Sequence, residues 1–151
     1  MNILYVGFKG RHNSSCQLVS RLPGERLLLT NSFGGLRREI DSIPQLYDAV
    51  YLFGLDKSLC GSVRVETCAE EAGHILYTSA DVLELAHKFA VLGIPCAVSR
   101  QPSRYLCNAA YYRLLERMSC PVVLLHIPSQ RNLSQELLTR LIAAFSCETE
   151  S

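Results

Sequence analysis

Short runs of aliphatic and β-branched residues alternate along the chain with longer stretches in which apolar side chains recur at helical spacing. That is the pattern of strands threaded between helices. Asn2–Val6 gives a first strand, a loop follows around Gly7–Asn13, and Ser14–Arg21 reads as a short helix with Asn13 or Ser14 as its N-cap. A turn at Gly24 leads into a strand at Arg26–Thr30. Leu36, Ile40 and Ile43 then line one helical face ahead of Pro44, and Asp48–Phe53 is a buried strand that Gly54 ends. In Gly61–Thr67, Val63 and Val65 alternate with Ser62, Arg64 and Glu66, which predicts a half-buried strand able to pair antiparallel, with Glu66 on its polar side and Glu70 and Glu71 in the turn after it. Val82, Leu85, Ala86 and Phe89 stripe a helix at Ser79–Leu92, closed by Gly93 and followed by a strand at Pro95–Ser99. After the loop Arg100–Tyr105 come a helix at Leu106–Met118, a strand at Pro121–His126, a loop at Ile127–Asn132, and a last helix at Ser134–Phe145, capped by Ser134 with Glu136 in its first turn. The expected fold is α/β, a mostly parallel twisted sheet with helices on both faces in three α/β/α layers.

Composition narrows the class without changing the picture. The chain has 151 residues, of which 48% are hydrophobic and 19% charged, so residues 1–151 are expected to form one globular domain. Its longest apolar runs are too short to span a bilayer. A formal net charge of +1 with scattered basic residues offers no footprint for nucleic acid. The opening MNILYVGFKGRH has no basic segment before its apolar stretch and no small-residue cleavage site, so the expected location is the cytoplasm. Seven cysteines without any C-x-x-C pair argue for reduced thiols rather than disulfides or a zinc knuckle, and Cys60, Cys68 and His74 fit no common metal spacing. Gly7 and Gly10 lack the surroundings of a phosphate loop. No metal or cofactor is therefore expected.

Cys107 stands out because it falls in the first turn of a helix that emerges from a strand and loop. Free backbone N–H groups and the positive end of the helix dipole favour a thiolate at such a place, and Arg104 lies close by in sequence. A cysteine there can equally be a small buried hydrophobe. His126 ends the strand VVLLH, on the rim where an open α/β sheet carries its ligands, and neighbouring strand exits would bring it beside Cys107. A histidine so placed can take the thiol proton and return it to a leaving amine, with a carboxylate fixing its tautomer. Glu66, on a strand, is a stiffer candidate for that carboxylate than Glu70 or Glu71.

The segment GIPCAVSRQPSRYLCNAAYYRLLE, residues 93–116, resembles the nucleophile region of the pyroglutamyl peptidase I family, with Tyr105-Leu106-Cys107-Asn108 as the specific match. LLHIPSQ at 124–130 resembles the segment bearing that family's catalytic histidine, VRVET at 63–67 the strand bearing its glutamate, and ILYVGF at 3–8 its first strand. The resemblance implies a cysteine hydrolase acting on an N-terminal pyroglutamyl or related amide of a peptide or small-amide substrate, with Cys107 as nucleophile, His126 as base and Glu66 as its orienting group. It also implies Phe8, Leu55, Tyr105 and Leu106 as substrate-facing positions, and self-association into a homo-oligomer. The departures fall on substrate recognition. The second aromatic of the family's first loop is missing after Phe8, the family's glycine-glutamine pair is Gly54-Leu55, and Pro102-Ser103-Arg104 replaces the residues ahead of the nucleophile. The stretch between Glu66 and Ser79 is also short. A scaffold that has kept the residues but binds a small ligand or protein partner without turnover is the competing expectation.

Overall fold

The computed structural model describes residues 1–149; residues 150 and 151, the end of the expected domain, lie outside them. In chain order the elements are β1 (Ile3–Phe8), α1 (Ser14–Val19), β2 (Glu25–Leu29), α2 (Phe33–Asp41), β3 (Ala49–Asp56), β4 (Val63–Glu66), β5 (Cys68–Glu71), β6 (His74–Tyr77), α3 (Val82–Val91), β7 (Cys96–Ser99), α4 (Tyr105–Arg117), β8 (Val122–Pro128) and α5 (Gln135–Thr149). Six strands form one sheet in the order β2-β1-β3-β8-β4-β7, and β5 and β6 form a separate two-stranded sheet.

The sheet is mostly parallel, but not throughout. β2, β1, β3 and β8 run together, whereas β4 pairs antiparallel with β8, and β7 pairs parallel with β4. The expected antiparallel pairing of the strand around Glu66 is therefore present. The expected route to a shared rim, through the exits of neighbouring strands, is not the one taken: β4 lies between β7 and β8, and β7 runs opposite to β8. Residues 100–104 carry the chain from β7 to the start of α4.

Strand alternation divides the interior in two. Ile3, Tyr5, Phe53, Val63, Val65, Leu125 and Ile127 point to one layer, where they meet Leu18, Phe89, Leu141 and Phe145 of α1, α3 and α5. Leu4, Val6, Phe8, Val50, Leu52, Val122 and Leu124 point to the other, against Leu36 and Ile40 of α2 and Tyr111 and Leu114 of α4. Phe145 is the hub of the first layer. Its ring lies 5.0 to 5.9 Å from those of Tyr5, Tyr51, Phe53 and Phe89, all in edge-on geometry.

Side chains cap most helix starts. Asn13 accepts from the Ser15 N–H at 2.9 Å, Ser32 from Gly35 at 3.1 Å, Asp81 from Glu84 at 3.0 Å and Ser134 from Leu137 at 3.1 Å. The cap of α4 is Arg104, which supplies no such bond, so the first-turn N–H groups of that helix are left for another partner. Three strands run past their expected ends, β1 among them, since Gly7 and Phe8 pair with Leu28 and Leu29 of β2. β3 continues through Gly54 to Asp56 and β8 through Ile127 to Pro128, because Gly54, Leu55 and Asp56 pair with His126, Ile127 and Pro128. The β5–β6 hairpin occupies the place where Glu70 and Glu71 were expected in a turn; its true turn is Ala72-Gly73, with both residues at positive φ.

Candidate active site

Gly54, Arg64, Glu66 and His126 share the sheet face that bears Leu52 and Leu124, at the end of β3 and β8 and along the facing β4. Gly54 is paired with His126, and Arg64 with His126 across the antiparallel register. Glu66 and His126 are almost fully buried, at 1% and 4% exposure, and Glu66 Oε1 accepts the His126 Nδ1–H at 2.8 Å. With its Nδ1–H given to the carboxylate, the ring presents Nε2 on the side away from Glu66.

Cys107 approaches from α4. A Cβ placed on Gly54 would lie 2.6 Å from Cys107 Sγ and 3.3 Å from both Nε2 and Cδ2 of His126. Sulfur and imidazole therefore border one point above Gly54, and their separation cannot exceed the sum of those two distances. The close approach requires a residue with no side chain. Two hydrogen bonds hold the beginning of α4 in place: Asn108 Nδ2 donates to the Glu70 carbonyl at 2.8 Å and its Oδ1 accepts from the Glu70 N–H at 3.0 Å. One turn on, the buried Tyr111 hydroxyl donates to the Glu66 carbonyl at 2.8 Å.

The electrostatics of the thiol differ from the expectation based on the helix start. Burial, and then the negative charges of Glu66 and Asp56, push the Cys107 thiol up to about 11, overriding the pull of the helix dipole. Cys107 is accordingly a thiol at neutral pH. Burial would also raise the Glu66 carboxyl, but hydrogen bonds from His126 and Arg64 outweigh it and hold the group below its ordinary value. Arg64 bridges two acids: Nε donates to Glu66 Oε1 at 2.8 Å and Nη2 to Asp56 Oδ2 at 2.6 Å. Burial opposes the charge on Asp56, yet bonds from Ser58 and Arg64 lower it to about 2.

Sequence reasoning missed Gly54, Asp56 and Arg64 as members of this cluster. Only a knowledge of cross-strand pairing puts them beside His126. The four positions expected to face substrate are scattered. Phe8 is 3% exposed and packed in the core layer beneath α2 and α4, and Leu106 lies at the edge of that layer. Leu55 falls by alternation on the opposite face of β3 from Gly54 and Asp56. Tyr105 is 81% exposed with φ of 59°, a left-handed conformation two residues ahead of Cys107. The seven cysteines are free thiols. No helix among the described residues is long and apolar enough to cross a membrane, and no group of three or more His, Cys, Asp or Glu among them could hold a metal ion.

Neither a protein-family model nor a curated protein sequence matches the chain. Solved structures do. The pyrrolidone carboxyl peptidase of Thermus thermophilus superposes with a TM-score of 0.78 at 20% identity, covering 97% of this chain and 98% of that one. Pyroglutamyl peptidase I of Bacillus amyloliquefaciens gives 0.76 at 16% identity over 99% and 97% of the two chains. A mutant pyrrolidone carboxyl peptidase of Pyrococcus furiosus gives 0.79 at 16% over 100% and 99%. The chain thus has the fold of the pyroglutamyl peptidases over its whole length.

Proposed function

We propose that this chain is a cysteine hydrolase that cleaves an N-terminal pyroglutamyl or related amide, with Cys107 as nucleophile, His126 as general base and Glu66 as the residue that orients the ring. The observation that carries the reading is that Cys107 Sγ and His126 Nε2 both border the space above Gly54, 2.6 and 3.3 Å from a Cβ placed there, while Nδ1 is tied to buried Glu66. The fold likeness to a pyrrolidone carboxyl peptidase and a pyroglutamyl peptidase I supports it.

With burial and the charges of Glu66 and Asp56 raising the thiol to about 11, the nucleophile is activated as it reacts rather than beforehand. His126 Nε2 takes the proton from Sγ as the sulfur attacks the amide carbonyl carbon. The uncapped N–H groups at the start of α4 then receive the developing oxyanion. The tetrahedral adduct collapses when His126 returns the proton to the leaving nitrogen, which departs as an amine and leaves a thioester. Water, deprotonated by the same ring, hydrolyses the thioester and regenerates the thiol.

A panel of fluorogenic N-terminal amides, pyroglutamyl first, assayed with the wild type and with Cys107→Ala, tests the reading. Turnover by the wild type and a drop of at least about 10³-fold in the variant are expected, since the nucleophile has no substitute. Burial of Phe8 and the raised thiol favour one alternative, a fold that binds a ligand without turning it over. Absence of turnover across the panel would overturn the hydrolase reading.

A further inference from the structure

Arg64 has no part in the chemistry above, yet it lies closer to the ring than any other cation in the cluster. It stands directly across the antiparallel ladder from His126, with Nη2 3.5 Å from Nδ1. Both of these nitrogens are donors once Nδ1 carries its proton for Glu66, so the approach is a juxtaposition and not a hydrogen bond. Nη2 gives its hydrogen to Asp56, at 2.6 Å, and Nε gives its own to the same Glu66 oxygen that accepts from His126. Glu66 Oε2 is buried with no hydrogen-bond partner, so ring and guanidinium share a single oxygen.

We propose that Arg64 is a positioning residue of this site: clamped by Asp56, it turns Glu66 Oε1 toward Nδ1 and opposes a second positive charge on the His126 ring. The proposal rests on His126 acting as the base, a role that needs an uncharged Nε2. A carboxylate alone against a buried imidazole favours the doubly protonated ring, which cannot accept the thiol proton. Arg64 takes up part of the charge on Glu66 and places its own beside the ring. Asp56 in turn keeps the guanidinium from being an uncompensated half-buried cation; both side chains are 25% exposed. Among the described residues, the charged and titratable groups tied to the ring are Arg64 and Glu66 from β4, Cys107 from α4 across Gly54, and, at one remove, Asp56 from β3 through Arg64 and Tyr111 from α4 through the Glu66 carbonyl. Arg64 supplies the only positive charge in that set, so its removal acts in one direction.

The test is ¹⁵N NMR of the His126 ring across pH in the wild type, Arg64→Gln and Arg64→Lys, with Glu66 and Asp56 intact. At about pH 8 the wild-type ring should be protonated at Nδ1 and bare at Nε2. In Arg64→Gln the doubly protonated ring should persist about one pH unit higher, the scale expected for losing a like charge at this range. Arg64→Lys keeps the charge without the fork and should stay with the wild type. Equal behaviour of Gln and wild type, or a Lys variant that moves as far as Gln, overturns the proposal. If Arg64→Gln does not fold, a wild-type ring protonated at Nε2 overturns it without need of that variant. The readout does not depend on turnover: a missing amidase activity sinks the hydrolase reading and leaves the ring measurement standing.

Discussion

A methyl group on Gly54 would press 2.6 Å from Cys107 Sγ, and the sulfur, at the end of a single χ1 bond, is the atom that must yield. Gly54→Ala should cost only about 1 kcal/mol of stability while turning the sulfur away from His126. Iodoacetamide labelling of Cys107 followed by mass spectrometry, beside a thermal melt, separates the two effects; unchanged labelling together with an unchanged melt would show that the cleft is looser than the geometry implies. Cys107, Glu66 and His126 could be picked out from sequence because each falls in a segment that resembles the pyroglutamyl peptidase I family; place alone left a buried thiol and a structural histidine open. Gly54, Asp56 and Arg64 could not be picked out. Glycine after an apolar run reads as a strand end, and an arginine in an alternating strand reads as its solvated face, until the ladder with β8 turns that face inward. The thiol was misjudged for a related reason: the helix start is visible in sequence, whereas burial and the charges of Glu66 and Asp56 are properties of the assembled site.

At the scale of elements, the start of α4 depends on a hairpin that the sequence concealed. Two-residue turns of this kind favour Asn-Gly or Asp-Gly, and here Ala72 occupies a left-handed position at φ 50° ahead of Gly73 at 81°. With Glu70 and Glu71 on a strand of only four residues, neither the turn nor the alternation announced itself. The larger helices and the central strands were legible to within a few residues, since their apolar periodicity is long enough to be unambiguous. The hairpin grips α4 through the paired bonds between Asn108 and the Glu70 backbone. Asn108→Ala should therefore destabilise the protein by about 1–3 kcal/mol and speed amide exchange across residues 68–77 before the sheet opens. Exchange rates in β5 and β6 that match the wild type would show the hairpin to be held by other contacts.

For the whole molecule, α5 closes one of the two core layers, and Phe145 carries much of that closure. Phe145→Ala should lower the unfolding free energy by about 3–5 kcal/mol in denaturant titration, because it empties the centre of four aromatic contacts. A loss under about 1 kcal/mol would mean that the neighbouring rings collapse into the space. Acid stability is set on the other face. Asp56 titrates at about 2 in the fold against an ordinary 3.8, so its contribution is complete above the ordinary value and is lost as the pH falls toward 2. In Asp56→Asn, unfolding free energy should fall by about 2 kcal/mol less than in the wild type between about pH 5 and pH 2. Parallel curves would show that Asp56 is not held below its ordinary value in the fold.

The antiparallel meeting of β4 and β8 also bears on how the chain finds its own fold. β4 has four residues, its apolar Val63 and Val65 facing Phe89 and Leu137, its charged Arg64 and Glu66 facing the other way. A slip of one residue would exchange the two pairs, burying a guanidinium and a carboxylate among rings with neither His126 nor Asp56 to meet them. A strand so short has few ladder bonds with which to reject that error. The residues gathered around His126 therefore penalise a misaligned β4, because a shifted register leaves its two charges without their partners.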